Sequence, residues 1–200
     1  MKIAFLVLAY GLGALPFGYF LFRWSEKKDI RKFGSGSTGA TNVLRLKGWR
    51  YALPVVLLDV LKAALPVWLA FRLFDDPWLP LIASFLVVLG HCFPVFIRFR
   101  GGKGVSTAMG SYAVLAPLPC FLSLGVFVVV IAWTRYVSLG SLLAMFSFPV
   151  FVFLFGNGRE LALLGAIMFA LIAFQHRQNI GRLFRGEERK LGRREEVKVK

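Results

Sequence analysis

The chain of 200 residues is 58% hydrophobic and 18% charged, and its mean hydropathy is +0.68. Soluble domains are roughly 45–50% apolar and about 25% charged, so this composition excludes an ordinary soluble protein and indicates several membrane spans. The formal net charge of +15 favours anionic substrates or anionic lipid headgroups over cationic ligands. Nucleic acid is disfavoured as a partner because the basic residues lie between apolar segments.

Uncharged stretches of about 20 residues predict the membrane spans in chain order. The first stretch lacks a signal-peptide cleavage site, so we expect it to remain in the mature protein. Residues 104–134 are too many for one span, and we divide them at the two prolines of Ala116–Pro119. The seven predicted spans are 3–22, 51–71, 77–97, 104–116, 120–134, 136–156 and 160–176.

The basic residues predict how these spans are oriented. With seven spans, most Lys and Arg residues lie in cytoplasmic loops and the C-terminal tail, whereas six spans would place the basic tail outside. We therefore predict a single all-α integral membrane domain with its N-terminus outside, its C-terminus in the cytoplasm, and short re-entrant or half-length helices near the functional site. Residues 182–200 are predicted to form a charged cytoplasmic tail that is solvated or lies on the membrane surface.

The first predicted cytoplasmic loop combines glycine, hydroxyl and basic residues. Glycines allow backbone N–H groups to converge on an anion, and the short hydroxyl side chains add further donors. The planar guanidinium of Arg45 suits phosphate. A flexible Gly/Ser linker is the alternative interpretation. The candidate binding residues are Ser35, Gly36, Ser37, Thr38, Gly39, Ala40, Thr41, Asn42 and Arg45.

A second glycine-rich segment, Gly101–Gly104, precedes an uncharged helix and contains Lys103. Backbone donors, a helix N-terminus and a lysine charge together are typical of phosphate binding, so Gly101, Gly102, Lys103 and Gly104 are candidates. Arg98 and Arg100 are equally well explained as anchors at the cytoplasmic interface. His91 is more simply explained as a hydrogen-bonded histidine at the interface than as a site residue.

The last predicted span ends in a polar cluster, residues 175–182. His176 and Asn179 are three residues apart and share a helical face, and a histidine is a suitable proton acceptor near pH 7. The alternative is a polar helix end at the level of the lipid headgroups. Ser138 and Ser141 have the same spacing at the start of the sixth span, where they either complete the site or cap the helix.

The predicted topology places these four clusters on the cytoplasmic side, which indicates one site rich in donors and cations. The cytoplasmic loops before the tail contain only Glu26 and Asp29 as carboxylates, so we predict no metal site and no cofactor. Cys92 and Cys120 lack a CxxC spacing and predict neither a disulfide nor a metal site.

Asp59 and Lys62 lie three residues apart within the second predicted span. Charges at that depth are costly unless they are paired or hydrated. They indicate either a proton or ion pathway or a buried pair that orients the helix, and we favour the buried pair.

Three ordered segments, 34–45, 90–110 and 176–183, together with the pair Asp59 and Lys62, resemble the bacterial acyl-phosphate:glycerol-3-phosphate acyltransferases of the PlsY type. The resemblance covers nearly the whole chain before the tail. It implies transfer of a fatty acyl group from acyl phosphate to the sn-1 hydroxyl of glycerol-3-phosphate, giving lysophosphatidic acid and phosphate. It also implies a site at the cytoplasmic face of the bacterial inner membrane, with membrane lipids as surroundings, and we expect a monomer.

Given that reaction, we assign residues 35–42 mainly to the acyl-phosphate headgroup. Arg45, Lys103, His176 and Asn179 are the catalytic candidates, mainly for glycerol-3-phosphate, with Ser141 near its hydroxyls. Acyl phosphate is already activated, so we expect neither a covalent intermediate nor a metal ion. The proton acceptor is either His176 or a phosphate oxygen of a substrate, and we favour the substrate.

Two other functions compete with acyl transfer. A transporter of an organic phosphate or another anion would also use helix-terminal glycines and charges within spans. The lack of an internal repeat and the one-sided clustering of the motifs argue against it. A structural or assembly role would leave the glycine-rich motifs unexplained.

Overall fold

The structure, a computed structural model, describes residues 1–192, and the regular structure in this part of the chain is entirely helical. Two 3-10 turns, Ile30–Lys32 and Val95–Ile97, lie in the loops that follow α2 and α5. The α-helices are α1 Lys2–Gly13, α2 Phe17–Glu26, α3 Ala40–Lys47, α4 Trp49–Leu73, α5 Trp78–Cys92, α6 Val105–Leu115, α7 Pro117–Thr134, α8 Val137–Leu154, α9 Arg159–Gln175 and α10 Arg177–Phe184.

Five helical segments of the described chain are long and apolar enough to cross a bilayer. They are Lys2–Glu26, Trp49–Leu73, Trp78–Ile97, Pro117–Thr134 and Val137–Leu154. A sixth is possible if α9 and α10, which are bent by 68°, form one broken span, whereas α6 is a shorter apolar helix. The predicted all-α membrane fold is therefore confirmed, while the count of seven spans and the orientation of the termini stay predictions.

The first predicted span is divided in the structure. α1 ends at Gly13 and α2 begins at Phe17. Pro16 lies between the two helices. It accounts for the break, because proline has no N–H to donate and disfavours a helical conformation of the residue before it. The carbonyl of Leu15 in this break accepts from the N–H of Phe17 at 3.2 Å and from the Nζ of Lys62 on α4 at 2.8 Å. A buried lysine thus stabilises the break.

Glycines allow the helices to pack closely around the site. A Cβ at Gly110 on α6 would overlap the main chain of Val60 on α4, and one at Gly13 would overlap the main chain of Val87 on α5. Small residues favour such close packing in membranes, where burial of apolar surface between helices gains little. The short α6 is held against α4 in this way, and the glycine-rich loop before it is held at the end of α5.

The largest core cluster joins α6, α8 and α9. The rings of Tyr112 and Phe148 stack with centroids 3.4 Å apart, and Met145, Met168 and Ile172 are fully buried beside them. This packing brings the start of α6, the start of α8 and the end of α9 to one end of the bundle, where the predicted site residues lie.

Candidate active site

Direct contacts join the predicted motifs at this end of the molecule. The N–H of Thr38 in the first loop points at the carbonyl of Gly101 in the second, 3.5 Å away. The amide of Gln175 at the end of α9 donates to the carbonyl oxygen of Cys92 at 3.3 Å. The Nζ of Lys103 donates to the Oδ1 of Asn179 on α10 at 2.5 Å. Three segments that are far apart in sequence therefore form one site.

Asn42 holds the first loop in shape. Its Oδ1 accepts from the N–H of Ser35 at 3.0 Å, and its Nδ2 donates to the carbonyls of Ser37 and Phe33 at 2.9 and 3.2 Å. Both amide protons and the carbonyl oxygen are thus used within the loop. Asn42, expected as a binding residue, is placed as a residue that positions the loop.

The remaining candidates of this loop lie around the start of α3. The Oγ of Ser37 accepts from the N–H of Gly39 at 3.2 Å, which leads the chain into the helix at Ala40. Thr38 is buried, and Gly36 has a φ of +72°, a left-handed conformation that glycine adopts readily. These contacts indicate an ordered turn and argue against a flexible linker.

A cavity of about 180 Å³ opens between α3, the start of α4, the start of α8 and the tail. This is several times the roughly 30 Å³ that one water occupies in the liquid. Thr41 and the buried Arg45 supply its polar wall. Apolar side chains supply most of the rest, which suits a ligand with an anionic head and an apolar chain. The full lining is Thr41, Leu44, Arg45, Gly48, Trp49, Val137, Leu191 and Gly192.

The second glycine-rich segment lies flat on the end of α5. The N–H groups of Gly101 and Gly102 donate to the carbonyls of Cys92 and His91 at 3.3 and 3.1 Å. A Cβ at Gly102 would overlap the imidazole of His91, so only glycine fits there without rearrangement. The sequence predicted these two N–H groups as anion donors, but the structure uses them to fix the loop that carries Lys103.

Asp59, Lys62 and His91 form a buried polar group beneath this loop. Lys62 Nζ lies 2.8 Å from the Oδ1 of Asp59 and 3.0 Å from the Nδ1 of His91. Lys62 also bonds the carbonyl of Leu15 at the α1–α2 break, and His91 packs against Gly102. These contacts favour the predicted buried pair, extended by His91, because they brace two helices and the glycine loop.

The most connected part of the site lies around Lys103. Asn179 accepts from Lys103 and donates through Nδ2 to the Oε1 of Glu188 at 2.8 Å. The second oxygen of Glu188 accepts from the Nε of Arg182 at 2.8 Å. Four side chains from three segments thus form one continuous hydrogen-bonded chain.

Glu188 is a site residue that the sequence interpretation missed. It belongs to the predicted solvated or surface-bound tail, yet its side chain is only 1% exposed. Residues 187–192 return to the helical bundle, where the N–H of Leu191 donates to the carbonyl of Arg135 at 2.7 Å. The solvated or surface-bound tail stays a prediction, with Glu188 as a buried residue within it, and residues 193–200 of the predicted tail lie outside the described residues. No local pattern distinguishes Glu188 from its neighbour Glu187.

The electrostatics of the site are dominated by cations. Burial is the main cause that lowers the pKa of Lys103 to about 8, and the positive charge of Arg45 is the next. Arg182 and Arg189 also act to lower this pKa, while Glu188 acts in the opposite direction. Four positive side chains therefore act on the same region against one carboxylate, an arrangement that favours the binding of a multivalent anion.

Glu188 is held in its charged form. Burial alone would raise the pKa of its carboxyl, but the hydrogen bonds from Asn179 and Arg182 outweigh burial, and the pKa lies below its usual value. The Glu188 carboxylate is therefore charged at neutral pH and has both oxygens engaged.

His176 lies at the junction of α9 and α10 and is buried. Its Nδ1 is 2.8 Å from the carbonyl oxygen of Ile172, which can only accept, so Nδ1 carries the ring proton. In the neutral ring, Nε2 then keeps its lone pair. Ser138 and Ser141, on the first turn of α8 and one turn further, are also buried. Ser138 is the last and smallest of the groups that lower the pKa of the Glu188 carboxyl.

Possible metal ligands do not cluster in residues 1–192. This part of the chain contains no group of three or more His, Cys, Asp or Glu side chains placed to hold a metal ion. Cys92 and Cys120 are both buried, and neither forms a disulfide.

Known proteins are similar to this chain over nearly its whole length. A sequence-family model described as glycerol-3-phosphate acyltransferase matches residues 3–186. The chain belongs to this family. A glycerol-3-phosphate acyltransferase of Thermoanaerobacter pseudethanolicus is 42% identical over 96% of both chains. One of Myxococcus xanthus is 44% identical over 95% of this chain and 100% of its own.

Solved structures give the same result. The crystal structure of PlsY (YgiH), an integral membrane glycerol 3-phosphate acyltransferase, in its glycerol 3-phosphate form has a TM-score of 0.91 and 38% identity. Its lysophosphatidic acid form has a TM-score of 0.88 and 37% identity, and each comparison covers 96% of both chains. The resemblance to the PlsY-type family is thereby confirmed, and with it a multi-pass membrane protein.

Proposed function

We propose that this protein transfers a fatty acyl group from acyl phosphate to the sn-1 hydroxyl of glycerol-3-phosphate, the first acylation step of phospholipid synthesis. The observation that carries the proposal is the cation cluster around Lys103, next to a cavity with one polar and one apolar wall. The relatives named glycerol-3-phosphate acyltransferase, and the related structures in glycerol 3-phosphate and lysophosphatidic acid forms, support the acceptor and the product.

The two substrates have different requirements, and the site offers a different surface to each. Glycerol-3-phosphate is small and dianionic, so it is assigned to Lys103 and Arg45, with Asn179 and His176 beside them and Ser141 near its hydroxyls. Acyl phosphate has an anionic head and a long apolar chain. It is assigned to the ordered loop 35–42 and to the cavity beside Thr41, whose lining is largely apolar.

The chemistry is a direct acyl transfer. The acceptor hydroxyl oxygen bonds to the acyl carbon, the bond between that carbon and the phosphate oxygen breaks, and phosphate leaves with the bonding electrons. The hydroxyl proton passes to a phosphate oxygen. Substrate assistance is favoured because the Glu188 carboxylate, which joins the hydrogen-bonded chain to Lys103, is engaged at both oxygens. Nε2 of His176 is the alternative acceptor. Positioning and charge stabilisation supply the catalysis, and no metal ion is required.

The site is further proposed to face the cytoplasm from the bacterial inner membrane, since its basic loops follow the positive-inside distribution. Lipids then surround the apolar helices, and the acyl donor enters from the bilayer. We propose that the protein acts as a monomer and binds no nucleic acid.

Product analysis with the purified protein tests this function. Detergent-solubilised protein is supplied with glycerol-3-phosphate and either acyl phosphate or acyl-CoA, and lysophosphatidic acid is quantified. We expect product from acyl phosphate, with equal yield after treatment with a chelator. Equal use of acyl-CoA would contradict the donor assignment. A protein that only transports an anion would form no product in detergent.

A further inference from the structure

The C-terminal segment after α10 folds back over the site. Leu191 donates its N–H to the carbonyl of Arg135 at 2.7 Å, and its own carbonyl accepts from the Nη2 of Arg135 at 2.9 Å. The ammonium of Lys190 lies 5.6 Å from the centre of the Tyr136 ring. These contacts with the short α7–α8 connection fix the segment in place. Glu188 is thereby inserted next to Asn179.

Glu188 and Lys103 hold the Asn179 amide from its two ends. Nδ2 of Asn179 must donate to the Glu188 carboxylate, because a carboxylate only accepts. The amide oxygen is then directed at the ammonium of Lys103, which only donates. Without Glu188, the amide of Asn179 keeps only Lys103 to hold this orientation, and its Nδ2 loses its acceptor.

We propose that Glu188 is a positioning residue for glycerol-3-phosphate binding, because its carboxylate directs Asn179 toward Lys103 and balances the cations gathered around the phosphate position. The inference rests on the proposed assignment of Lys103 to the phosphate. It assigns to the C-terminal segment a part in substrate binding, although Glu188 itself is already bonded to Asn179 and Arg182.

The same carboxylate affects the charge of Lys103. The charged groups that face Lys103 are Arg45 from α3, Arg182 from α10, and Glu188 and Arg189 from the C-terminal segment. The charge of Lys103 also interacts electrostatically with the neighbouring His176. Because Glu188 opposes the effect of the three arginines, its neutralisation lowers the pKa of Lys103 below about 8. Lys103 then loses its charge at a lower pH than in the wild type.

The chain supplies a matched control one residue away. Glu187 pairs with Arg185 at 2.7 Å, but the two side chains are 59% and 61% exposed. The substitutions Glu188→Gln and Glu187→Gln remove the same charge from adjacent positions. Only the first one changes the hydrogen-bonded chain that reaches Lys103.

The test is a set of steady-state measurements from pH 6.5 to 9.5, with acyl phosphate saturating and glycerol-3-phosphate varied. For Glu188→Gln, we expect the KM for glycerol-3-phosphate to rise roughly tenfold or more, the size expected for a hydrogen bond to a charged group. The alkaline fall of kcat/KM should also move to lower pH. Glu187→Gln should match the wild type in both respects.

A second substitution at the same position keeps the result interpretable. Glu188→Asp retains the charge but withdraws the carboxylate, so it should raise the KM and leave the alkaline fall in place. If Glu188→Gln is not monodisperse in detergent, Glu188→Asp becomes the deciding variant. An unchanged KM for Glu188→Asp would then overturn the inference. The inference is also overturned if Glu188→Gln lowers only kcat, with the KM and the pH profile unmoved, since that is the result of a general structural role.

Lys103→Ala separates this inference from the proposed function. Wild-type kinetics for Lys103→Ala would refute the assignment of Lys103 itself. A large rise in KM for Lys103→Ala, combined with wild-type behaviour of Glu188→Gln, would refute only the role of Glu188.

Discussion

The low pKa of Lys103 predicts an alkaline limit to activity. With a pKa of about 8, this lysine loses its charge as the pH rises through 8. The ammonium is present in roughly nine-tenths of the molecules at pH 7 and about one-tenth at pH 9. If the ammonium binds the acceptor phosphate, kcat/KM for glycerol-3-phosphate falls about tenfold for each pH unit well above 8. The contribution of charged Lys103 to glycerol-3-phosphate binding is therefore fully present well below pH 8 and is lost as the pH rises through 8.

The assay measures kcat/KM for glycerol-3-phosphate between pH 7.5 and 9.5. The second pKa of a phosphate monoester is about 6, so the substrate stays dianionic across this range and the enzyme group alone titrates. Lys103→Arg is the matched variant, because an arginine remains charged at these pH values. We expect it to be less active but to lack the alkaline fall. The same fall at the same pH in Lys103→Arg would refute the assignment.

Three other substitutions test separate parts of the site. Gly102→Ala should destabilise the protein by about 1–3 kcal/mol, because a Cβ would overlap the imidazole of His91. Its control is Gly125→Ala, whose Cβ would meet nothing within 4 Å and which should leave the thermal unfolding midpoint unchanged. Arg45→Ala should raise the KM for glycerol-3-phosphate, while Arg98→Ala, at an exposed position, should not, and equal effects would refute the distinction. His176→Ala should lower kcat by less than the roughly 10²–10⁴-fold typical of a general base; a loss within that range would instead assign proton transfer to His176.

Local sequence patterns were sufficient to predict the fold class and to select candidate residues of an anion site. Apolar stretches predicted an all-α membrane fold because every backbone polar group in a bilayer must be satisfied within its own helix. Glycine, hydroxyl and basic residues predicted an anion site because their conformational freedom, donors and charge belong to the residues themselves. Lys103 and Asn179, 76 residues apart, were both selected in this way and are in direct contact.

Other features depend on which groups the fold brings within hydrogen-bonding distance. Asn42 was expected to contact substrate, but its amide is used by three groups of its own loop. Gly101 and Gly102 were expected to offer N–H groups, but the end of α5 takes both. In each case the residue type was informative, whereas its role depended on which groups lay within hydrogen-bonding distance.

Composition, apolar length and residue type by themselves determined that this protein is a helical membrane protein with a cationic, glycine-rich site. The tertiary structure decided how the charges of that site are balanced. Glu187 and Glu188 are identical in type and adjacent in the chain, yet one is exposed and the other is buried between Asn179 and Arg182. Burial and hydrogen bonding set the pKa and orientation of a side chain, and these depend on how the chain folds around it.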